Sequence, residues 1–238
     1  MLIKIENVCK NYKNVKALDN VNLQINEGEL FGLLGVNGAG KTTLIKILCG
    51  LTKKTSGSVL IDGFNLDKQM DKIKEIIDIS PQETSVAKNL TVKENLQFFA
   101  SIYNKNDQKI INEIVKVFKL DEVLNQRAKT LSGGFKRRLS IAIALISQPK
   151  ILFLDEPTLG LDVLARRELW QIIKKLKQNV TIILTSHYLE EIENLCDKVA
   201  ILSKGKLLQV GTVEELQKLT STEKFEDAFV KLVENVNE

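Results

Sequence analysis

The chain has 238 residues, of which 44% are hydrophobic, and it carries 34 Lys and Arg against 30 Asp and Glu. This size allows one large domain or a domain with an inserted subdomain, and the apolar content excludes intrinsic disorder. The net charge of +4, spread along the chain, is too weak to indicate a nucleic-acid partner. Three scattered cysteines favour neither a disulfide framework nor a zinc site. No apolar run approaches the roughly 20 residues that span a bilayer, so we expect any membrane-spanning part to come from another chain.

Short β-rich runs alternate with longer helical patterns, which predicts a mostly parallel sheet covered by helices. Near the start, Ile3–Val8 and Val21–Ile25 are predicted strands, and they lie too close in sequence for a crossover helix, which favours an antiparallel pair. Leu30–Leu34 is a predicted buried strand, followed by a glycine-rich turn. A helix is predicted at about Lys41–Cys49, and further short strands at Val59–Ile61 and Ile77–Ile79.

Helical patterns follow one another from about Asn89 to Ser147, which predicts an inserted helical subdomain at about 89–147. Thr91 and Glu94 form a predicted capping box at the start of one of these helices. Ile110–Phe118 and Gly133–Ile146 are two more predicted helices, because their apolar residues recur at helical spacing.

Strand patterns return in the last third of the chain, and a crossover helix is predicted at Leu161–Lys177. Thr212 and Glu215 form a second predicted capping box, and a short helix is expected in the tail from Thr220. The predicted strands of this part are Ile151–Leu154, Thr181–Thr185, Val199–Leu202 and Lys206–Val210.

The segment Gly35-Val-Asn-Gly-Ala-Gly-Lys41-Thr42 matches the pattern G-x-x-x-x-G-K-[ST] between a buried strand and a helix. Glycines let the backbone wrap around a phosphate chain with its N–H groups pointing inward. The following helix turns its positive end to the anion. Lys41 would reach the outer phosphates, and the Thr42 hydroxyl would bind Mg²⁺. The alternative is a chance glycine turn, which this strand-to-helix context disfavours.

An apolar strand, Ile151–Leu154, runs into two carboxylates, Asp155 and Glu156. Ligands of open α/β sheets bind at the carboxyl ends of strands, so Asp155 is expected to hold Mg²⁺ through water and Glu156 to polarise the attacking water. A surface Asp-Glu turn is the plain alternative. His187 is the only histidine and follows a strand that we expect beside the Asp155 strand, where it could orient a γ-phosphate and the water near it.

Two further patterns carry little weight by themselves. The basic cluster Lys136-Arg137-Arg138 favours a solvated helix face. Asn104-Lys105-Asn106-Asp107 matches the guanine-reading N-K-x-D motif of GTPases, but it precedes Asp155 and lies in a helical region. We interpret it as a chance match in a chain rich in Lys and Asn.

The segment Leu131-Ser132-Gly133-Gly134-Phe135, before a helix and upstream of Asp155, resembles the signature LSGGQ of the nucleotide-binding subunits of ABC (ATP-binding cassette) transporters. This segment is again suited to binding an anion, through a serine, two glycine N–H groups and a helix N-terminus. The resemblance implies that this site serves the ATP held by a second cassette. Two cassettes would then work as a head-to-tail pair, a homodimer or pseudo-dimer, with two ATP molecules between them.

Further positions follow the order of this family. Tyr12 lies where the family has an aromatic residue that stacks on adenine, although it could equally be a strand-edge tyrosine. Gln82 matches the glutamine that touches Mg²⁺ and links the site to the helical subdomain, and His187 matches the family's switch histidine. Leu159-Gly160-Leu161-Asp162 is similar to the loop that crosses to the partner cassette.

The resemblance implies three sets of site residues. The catalytic set is Glu156, His187 and Gln82, and the Mg²⁺ ligands are Thr42, Gln82 and Asp155. The residues expected to bind ATP are Tyr12, Gly35, Val36, Asn37, Gly38, Ala39, Gly40, Lys41, Thr42, Thr43, Ser132, Gly133 and Gly134.

The implied fold class is α/β, a P-loop NTPase core with a mostly parallel sheet, an N-terminal antiparallel β subdomain and the inserted helical subdomain. Residues 1–219 would form the cassette and 220–238 a short tail. The implied function is ATP hydrolysis that powers transport through a separate integral membrane permease subunit, at the cytoplasmic side of the membrane. Ser80-Pro-Gln82, Phe135 with the basic residues after it, and Ser186-His-Tyr-Leu-Glu-Glu191 resemble the branch that exports drugs, antibiotics or polysaccharides.

Two positions depart from the family pattern. Phe135 replaces the usual glutamine after the Ser-Gly-Gly donors, so ATP binding should survive while packing at the interface differs. Val36 replaces a common proline, and its side chain should point away from phosphate. Three alternatives stay open: a soluble ABC-type ATPase of DNA repair or translation, a GTP-dependent switch, and a regulatory ATP-binding protein without turnover.

Overall fold

The structure is a computed structural model, and it describes residues 1–234. Two compact units divide this part of the chain. The first unit takes in residues 1–74 and 181–234, and the second is Glu75–Val180. The phosphate-loop segment therefore belongs to the first unit, whereas Asp155 and the signature segment belong to the second.

The first unit begins with an antiparallel sheet whose strand order is β2-β1-β4-β5. Residues on one face of β1 are buried and alternate with more exposed ones, as the pleat of a half-buried strand requires. This confirms the predicted antiparallel pair, although both strands are longer than expected. The strands are β1 (Ile3–Tyr12), β2 (Val15–Ile25), β4 (Ser56–Ile61) and β5 (Phe64–Asn65).

The same unit contains a second group of strands in the order β10-β9-β3-β8. β3 (Leu30–Leu34) pairs in parallel with β8 (Thr181–Ser186) and β9 (Lys198–Ser203), and β9 pairs antiparallel with β10 (Lys206–Gly211). All five residues of β3 are buried, which confirms the sequence prediction for this strand. The helices of the unit are α1 (Lys41–Leu48), α2 (Met70–Lys74), α7 (Leu189–Leu195), α8 (Val213–Thr220) and α9 (Phe225–Glu234).

The C-terminal part of the first unit agrees with its local sequence signals. Thr212 caps α8 and forms the predicted capping box with Glu215. The predicted tail helix corresponds to α9, which buries Phe225 and Ala228. Residues 235–238 of the predicted tail lie outside the described part of the chain.

The second unit combines two parallel strands with helices. β6 (Ile77–Ser80) pairs in parallel with β7 (Ile151–Asp155), and the register places Ser80 opposite Leu154. Between Val92 and Ile146 the described backbone forms helices and two short 3-10 turns, as the pattern predicted. The helices are α3 (Val92–Ile102), α4 (Gln108–Val117), α5 (Gly133–Ile146) and α6 (Val163–Leu176), and the 3-10 turns are Asp121–Val123 and Ala128–Thr130.

Local capping explains where these helices begin. Thr91 accepts a hydrogen bond from the Glu94 N–H group while the Glu94 carboxylate accepts from the Thr91 N–H group, so the predicted capping box is present. Ser132 caps α5 by accepting from the N–H group of Phe135. Asp162 caps α6 by accepting from two N–H groups of its first turn, which starts the predicted crossover helix two residues later than expected.

Candidate active site

The phosphate loop joins β3 to α1 in the first unit, as the sequence predicted. Gly35 and Ala39 are buried, whereas the tip of the loop, Val36–Gly38, is exposed. The N–H group of Ala39 donates to the carbonyl oxygen of Val36 at 3.1 Å and closes the turn. The side chain of Val36, which departs from the family pattern, is exposed.

Lys41, the first residue of α1, is the cation of this loop. Only 5% of the residue is exposed, and its ammonium group donates to the carbonyl oxygens of Gly35 at 2.6 Å and Val36 at 3.3 Å. A buried ammonium group is costly unless polar partners surround it. Thr42 and Thr43 lie beside it in the first helical turn and are half-buried. The loop therefore brings a cation, two hydroxyls and a helix N-terminus together.

Two glycines give the loop its shape. Gly38 has a φ of 81° and Gly40 a φ of 107°, a backbone region that side chains disfavour. A Cβ atom on Gly38 would meet nothing within 4 Å, whereas one on Gly40 would lie 2.7 Å from the Ala17 carbonyl oxygen. Gly40 thus lets α1 begin directly against the β2 backbone, and the open space at Gly38 leaves room for a ligand at the loop tip.

His187 lies at the same edge of the first unit as the phosphate loop. The last residues of β3 and β8, Leu34 and Ser186, are partners in the parallel register. The loop that starts at Gly35 and the residue His187 therefore leave neighbouring strand ends. His187 is half-buried, and its ring packs on the ring of Tyr188 with centroids 4.1 Å apart. Of the sequence-predicted residues, the first unit thus brings His187 and the phosphate loop to adjacent strand ends.

Tyr12 lies at the end of β1, with 43% of the residue exposed. The ammonium group of Lys10, two residues earlier on the same strand face, lies 4.5 Å from the centre of the Tyr12 ring. It also donates to the carbonyl oxygen of Lys53 at 2.7 Å. An exposed aromatic ring with a cation beside it is suited to stacking on a flat π-system.

Asp155 and Glu156 lie at the carboxyl end of β7 in the second unit. Both are buried, Asp155 within the strand and Glu156 directly after it with 8% exposed. Glu156 adopts a φ of 48°, in the left-handed region that few non-glycine residues occupy. Such strained residues cluster at functional sites, where the surrounding structure holds them in place. The turn continues with a hydrogen bond from the Leu159 N–H group to the Glu156 carbonyl oxygen.

Gln82 follows β6, which is the partner of β7, so it leaves the same strand edge as Asp155 and Glu156. Its side chain is exposed, while its backbone carbonyl oxygen accepts a hydrogen bond from Arg137 at 2.5 Å. The second unit therefore brings Gln82, Asp155 and Glu156 together at one edge, as expected from the sequence.

The signature segment opens α5 in the second unit. Ser132 and Gly133 are exposed, and Gly134 lies close to α6, where an added Cβ atom would come within 3.2 Å of the Ala165 Cβ atom. The exposed serine and the N-terminus of α5 form a surface suited to an anion. Phe135, at the position of the usual glutamine, stacks its ring on the guanidinium group of Arg138 at 5.1 Å.

The interpretation of the basic cluster as a solvated face is wrong for two of its three residues. Arg137 is 5% exposed and Arg138 is 7% exposed. Arg138 pairs with the carboxylate of Glu168 on α6, and Arg137 binds the loop after β6. Both arginines can be buried because partners distant in the sequence accept their hydrogen bonds. These partners are a carboxylate for Arg138 and two carbonyl oxygens for Arg137.

The N-K-x-D match is explained by a helix cap. Asn104–Asp107 connects α3 to α4, and the side chain of Asp107 accepts a hydrogen bond from the N–H group of Lys109 at the start of α4. The residue types of this segment therefore serve a turn and a helix start, which agrees with the interpretation as a chance match.

Comparison with known proteins places this arrangement in a family. A family model described as "ABC transporter" matches residues 18–159. The multidrug ABC transporter ATP-binding protein YbhF of Escherichia coli, whose name is qualified as probable, is 36% identical over 241 residues, which are 98% of this chain and 42% of YbhF. The linearmycin resistance ATP-binding protein LnrL of Bacillus subtilis is 36% identical over 90% of this chain and 70% of LnrL.

Solved structures agree with this assignment. The ATP-binding cassette MJ0796, in a dimeric post-hydrolysis state bound to ADP and Pi, matches with a TM-score of 0.79 and 28% identity. The match covers 89% of this chain and 98% of that cassette. The chain thus belongs to the ABC transporter family and has the fold of its ATP-binding cassettes, while it spans less than half the length of YbhF.

Within residues 1–234, no helix is both long and apolar enough to cross a membrane.

Proposed function

We propose that the chain binds and hydrolyses ATP and that hydrolysis powers transport through a separate membrane-spanning partner. The observation that carries the proposal is the buried ammonium group of Lys41, held inside a glycine-rich loop at a helix N-terminus. Two of its acceptors are backbone carbonyl oxygens, which a phosphate group can replace. The cassette MJ0796 bound to ADP and Pi supports hydrolysis as the reaction.

The proposed metal is Mg²⁺, and the ligands implied by the family resemblance are Thr42, Gln82 and Asp155. The donor set fits this ion, since a hydroxyl, an amide oxygen and one carboxylate are hard oxygen ligands. One carboxylate is typical of Mg²⁺ that is also bound by substrate phosphates. Among the described residues, no cluster of three or more His, Cys, Asp or Glu side chains competes as a metal site. When bound, Mg²⁺ would neutralise charge on the β- and γ-phosphates.

In the proposed reaction, the backbone N–H groups of the loop hold the β-phosphate and Lys41 reaches the γ-phosphate. Glu156 accepts a proton from the water that attacks the γ-phosphorus, and the bond from that phosphorus to the bridging oxygen of ADP breaks. His187 donates a hydrogen bond that orients the γ-phosphate. Tyr12 stacks on the adenine ring. In-line phosphoryl transfer needs mainly positioning and charge stabilisation, which these groups supply.

A second cassette completes the proposed enzyme. Ser132 and Gly133 are exposed and Gly134 is half-buried at a helix start, and these residues would bind the γ-phosphate of the ATP held by the other cassette. The dimeric state of MJ0796 supports a pair of cassettes, for which the family resemblance implies a head-to-tail arrangement. ATP would favour the closed pair, and release of phosphate would open it.

The relatives support a direction of transport. The names of YbhF and LnrL refer to multidrug transport and linearmycin resistance, which supports export as the direction. We assign residues 1–219 to the cassette, with the helical insertion at about 89–147 and a short tail at 220–238. The cassette would work at the cytoplasmic side of the membrane, bound to an integral permease subunit.

Affinity purification of the tagged chain from gently solubilised membranes tests this proposal. We expect a multi-span hydrophobic protein to co-purify at one copy per cassette, and the purified complex to hydrolyse ATP. The Lys41→Ala variant serves as a matched control, because it should retain the partner while losing turnover. Recovery of ribosomal or DNA-bound proteins in place of a membrane protein would overturn the transport role and leave the ATPase chemistry to be judged by its own assay.

A further inference from the structure

Arg137 is a buried cation whose side chain reaches the loop that carries Gln82. It lies in α5, five residues after Ser132, and donates from its two terminal nitrogens to the carbonyl oxygens of Pro81 at 2.7 Å and Gln82 at 2.5 Å. These partners are consecutive in the chain, so the planar guanidinium fork binds one short stretch of backbone at two points. Charge-assisted bonds of this kind are about twice as strong as neutral ones.

Two more hydrogen bonds extend this contact along α5. The hydroxyls of Ser140 and Ser80 lie 3.0 Å apart, and the hydroxyl of Ser147 donates to the carboxylate of Asp78 at 2.9 Å. At 100° per residue, Arg137, Ser140 and Ser147 lie on one face of the helix. We call this set of bonds between α5 and residues 78–82 the polar seam. Along the polar seam, Arg137, Ser140 and Ser147 contact residues 81–82, 80 and 78 in turn, so the two segments run in opposite directions. These successive bonds fix the position of α5 along residues 78–82.

The loop that carries Gln82 spans residues 81–87, and a buried side chain also holds its second end. Asn95 of α3 is fully buried, accepts a hydrogen bond from the N–H group of Ala87 at 2.8 Å and donates to the Ala87 carbonyl oxygen at 3.1 Å. The backbone of residues 81–87 is therefore attached at one end to α5 and at the other end to α3. A displacement of these helices would move the loop with them.

Breaking the Arg137 bonds would be costly because a buried guanidinium group would lose two acceptors. The loop and α5 consequently behave as one body around Gln82. Groups that orient a metal ligand, without touching the metal, commonly change activity or metal affinity about 10–100-fold when they are removed.

We propose that Arg137 is a positioning residue for the reaction: it fixes the Gln82 loop to the helix that begins with the signature residues. The inference rests on the proposed function, in which Gln82 binds Mg²⁺ and Ser132 binds the phosphate of the partner's ATP. A displacement of Gln82 would then move the signature residues through Arg137, while the loop stays folded.

The test compares the Arg137→Gln and Arg137→Lys variants with the wild-type chain in steady-state ATPase assays at varied ATP and Mg²⁺. Arg167→Gln is the matched control, because Arg167 is exposed on α6. For Arg137→Gln we expect kcat to fall about tenfold or more and the Mg²⁺ concentration for half-maximal rate to rise several-fold, as for other residues that orient metal ligands. KM for ATP should stay within about twofold, since Lys41 and the phosphate loop are untouched.

Arg137→Lys keeps the charge and can bind one carbonyl oxygen, so both parameters should lie between those of the wild type and Arg137→Gln. Rates are corrected for the active fraction, which is measured as ATP-binding stoichiometry, and thermal midpoints are recorded in parallel. A wild-type Mg²⁺ midpoint in Arg137→Gln would overturn the positioning role, whether kcat is unchanged or lowered. A wild-type chain that hydrolyses no ATP, with or without its partner, would instead overturn the proposed function and this inference together.

Discussion

The ammonium nitrogen of Lys41 lies 2.6 Å from the carbonyl oxygen of Gly35, so the phosphate loop closes on its own lysine. This contact holds the cation in a buried position at the start of α1. A phosphate that enters the loop replaces weak carbonyl acceptors by a charged one, and the binding energy comes from this exchange. The loop geometry is thus close to what an anion needs.

Lys41→Ala should weaken ATP binding by about 3 kcal/mol, because it removes a desolvated cation from a charged ligand. Lys46→Ala is the control, since Lys46 is exposed on the same helix. Titration with a fluorescent ATP analogue measures both affinities. Equal affinities for Lys41→Ala and the wild type would show that the loop is not the phosphate site.

Gly40→Ala should destabilise the fold and impair nucleotide binding. The substitution forces a side chain into a φ of 107° and places its Cβ atom 2.7 Å from the Ala17 carbonyl oxygen. Gly63→Ala controls for backbone strain alone, because Gly63 has a φ of 79° and open space around it. We expect Gly40→Ala to lose about 1–3 kcal/mol more than Gly63→Ala, the usual range for overpacking. Urea unfolding measures both, and equal losses would refute the close contact.

Asp78 links stability to pH. Burial raises the pKa of the Asp78 carboxyl, while hydrogen bonds from the Ile79 N–H group and from the hydroxyls of Ser147 and Tyr103 lower it in part. Because the folded pKa is raised, the contribution of Asp78 to stability is complete below the ordinary pKa of an aspartate. It is lost as the pH rises through the folded pKa.

Tyr103→Phe removes one donor to the charged carboxylate and should raise the pKa of Asp78 further. The free energy of unfolding should therefore fall by about 1–3 kcal/mol at pH 7, because the lost hydrogen bond favours the charged form of the carboxyl group. The loss should be smaller below about pH 4, where an ordinary aspartate is protonated. Urea unfolding at both pH values is the measurement, with Tyr12→Phe as a control because Tyr12 is exposed. A loss that is larger at the acidic pH would contradict this assignment.

Local signals in the sequence predicted most of the fold. The capping boxes at Thr91 and Thr212 depend on residues three apart, and the helices they predict are present. Two short elements were missed: β5 has two residues, and α2 has five, of which only Ile73 is buried. Elements this short contain too few residues for a repeated hydrophobic pattern to be recognised in the sequence. Helix α7 was missed as well, although Glu190 and Glu191 in its first turn were a usable signal.

Some features of the candidate site could likewise be predicted from the sequence, and others could not. The phosphate loop, Asp155 and Glu156 could be predicted because each motif follows a strand end in the chain itself. The burial of Arg137 could not, because its carbonyl partners are 55 and 56 residues away in sequence. The left-handed backbone of Glu156 is likewise imposed by the surrounding fold, and no residue type in positions 154–157 predicts it.

The central claim, ATP hydrolysis assisted by Glu156, is tested most directly by turnover and binding of the Glu156→Gln variant. Glutamine keeps the size of the side chain but cannot accept the proton of the attacking water. Glu113→Gln, an exposed carboxylate on α4, is the control. We predict that Glu156→Gln binds ATP within about threefold of the wild type while its rate of hydrolysis falls about 100-fold or more. Hydrolysis by Glu156→Gln at the wild-type rate would contradict the account.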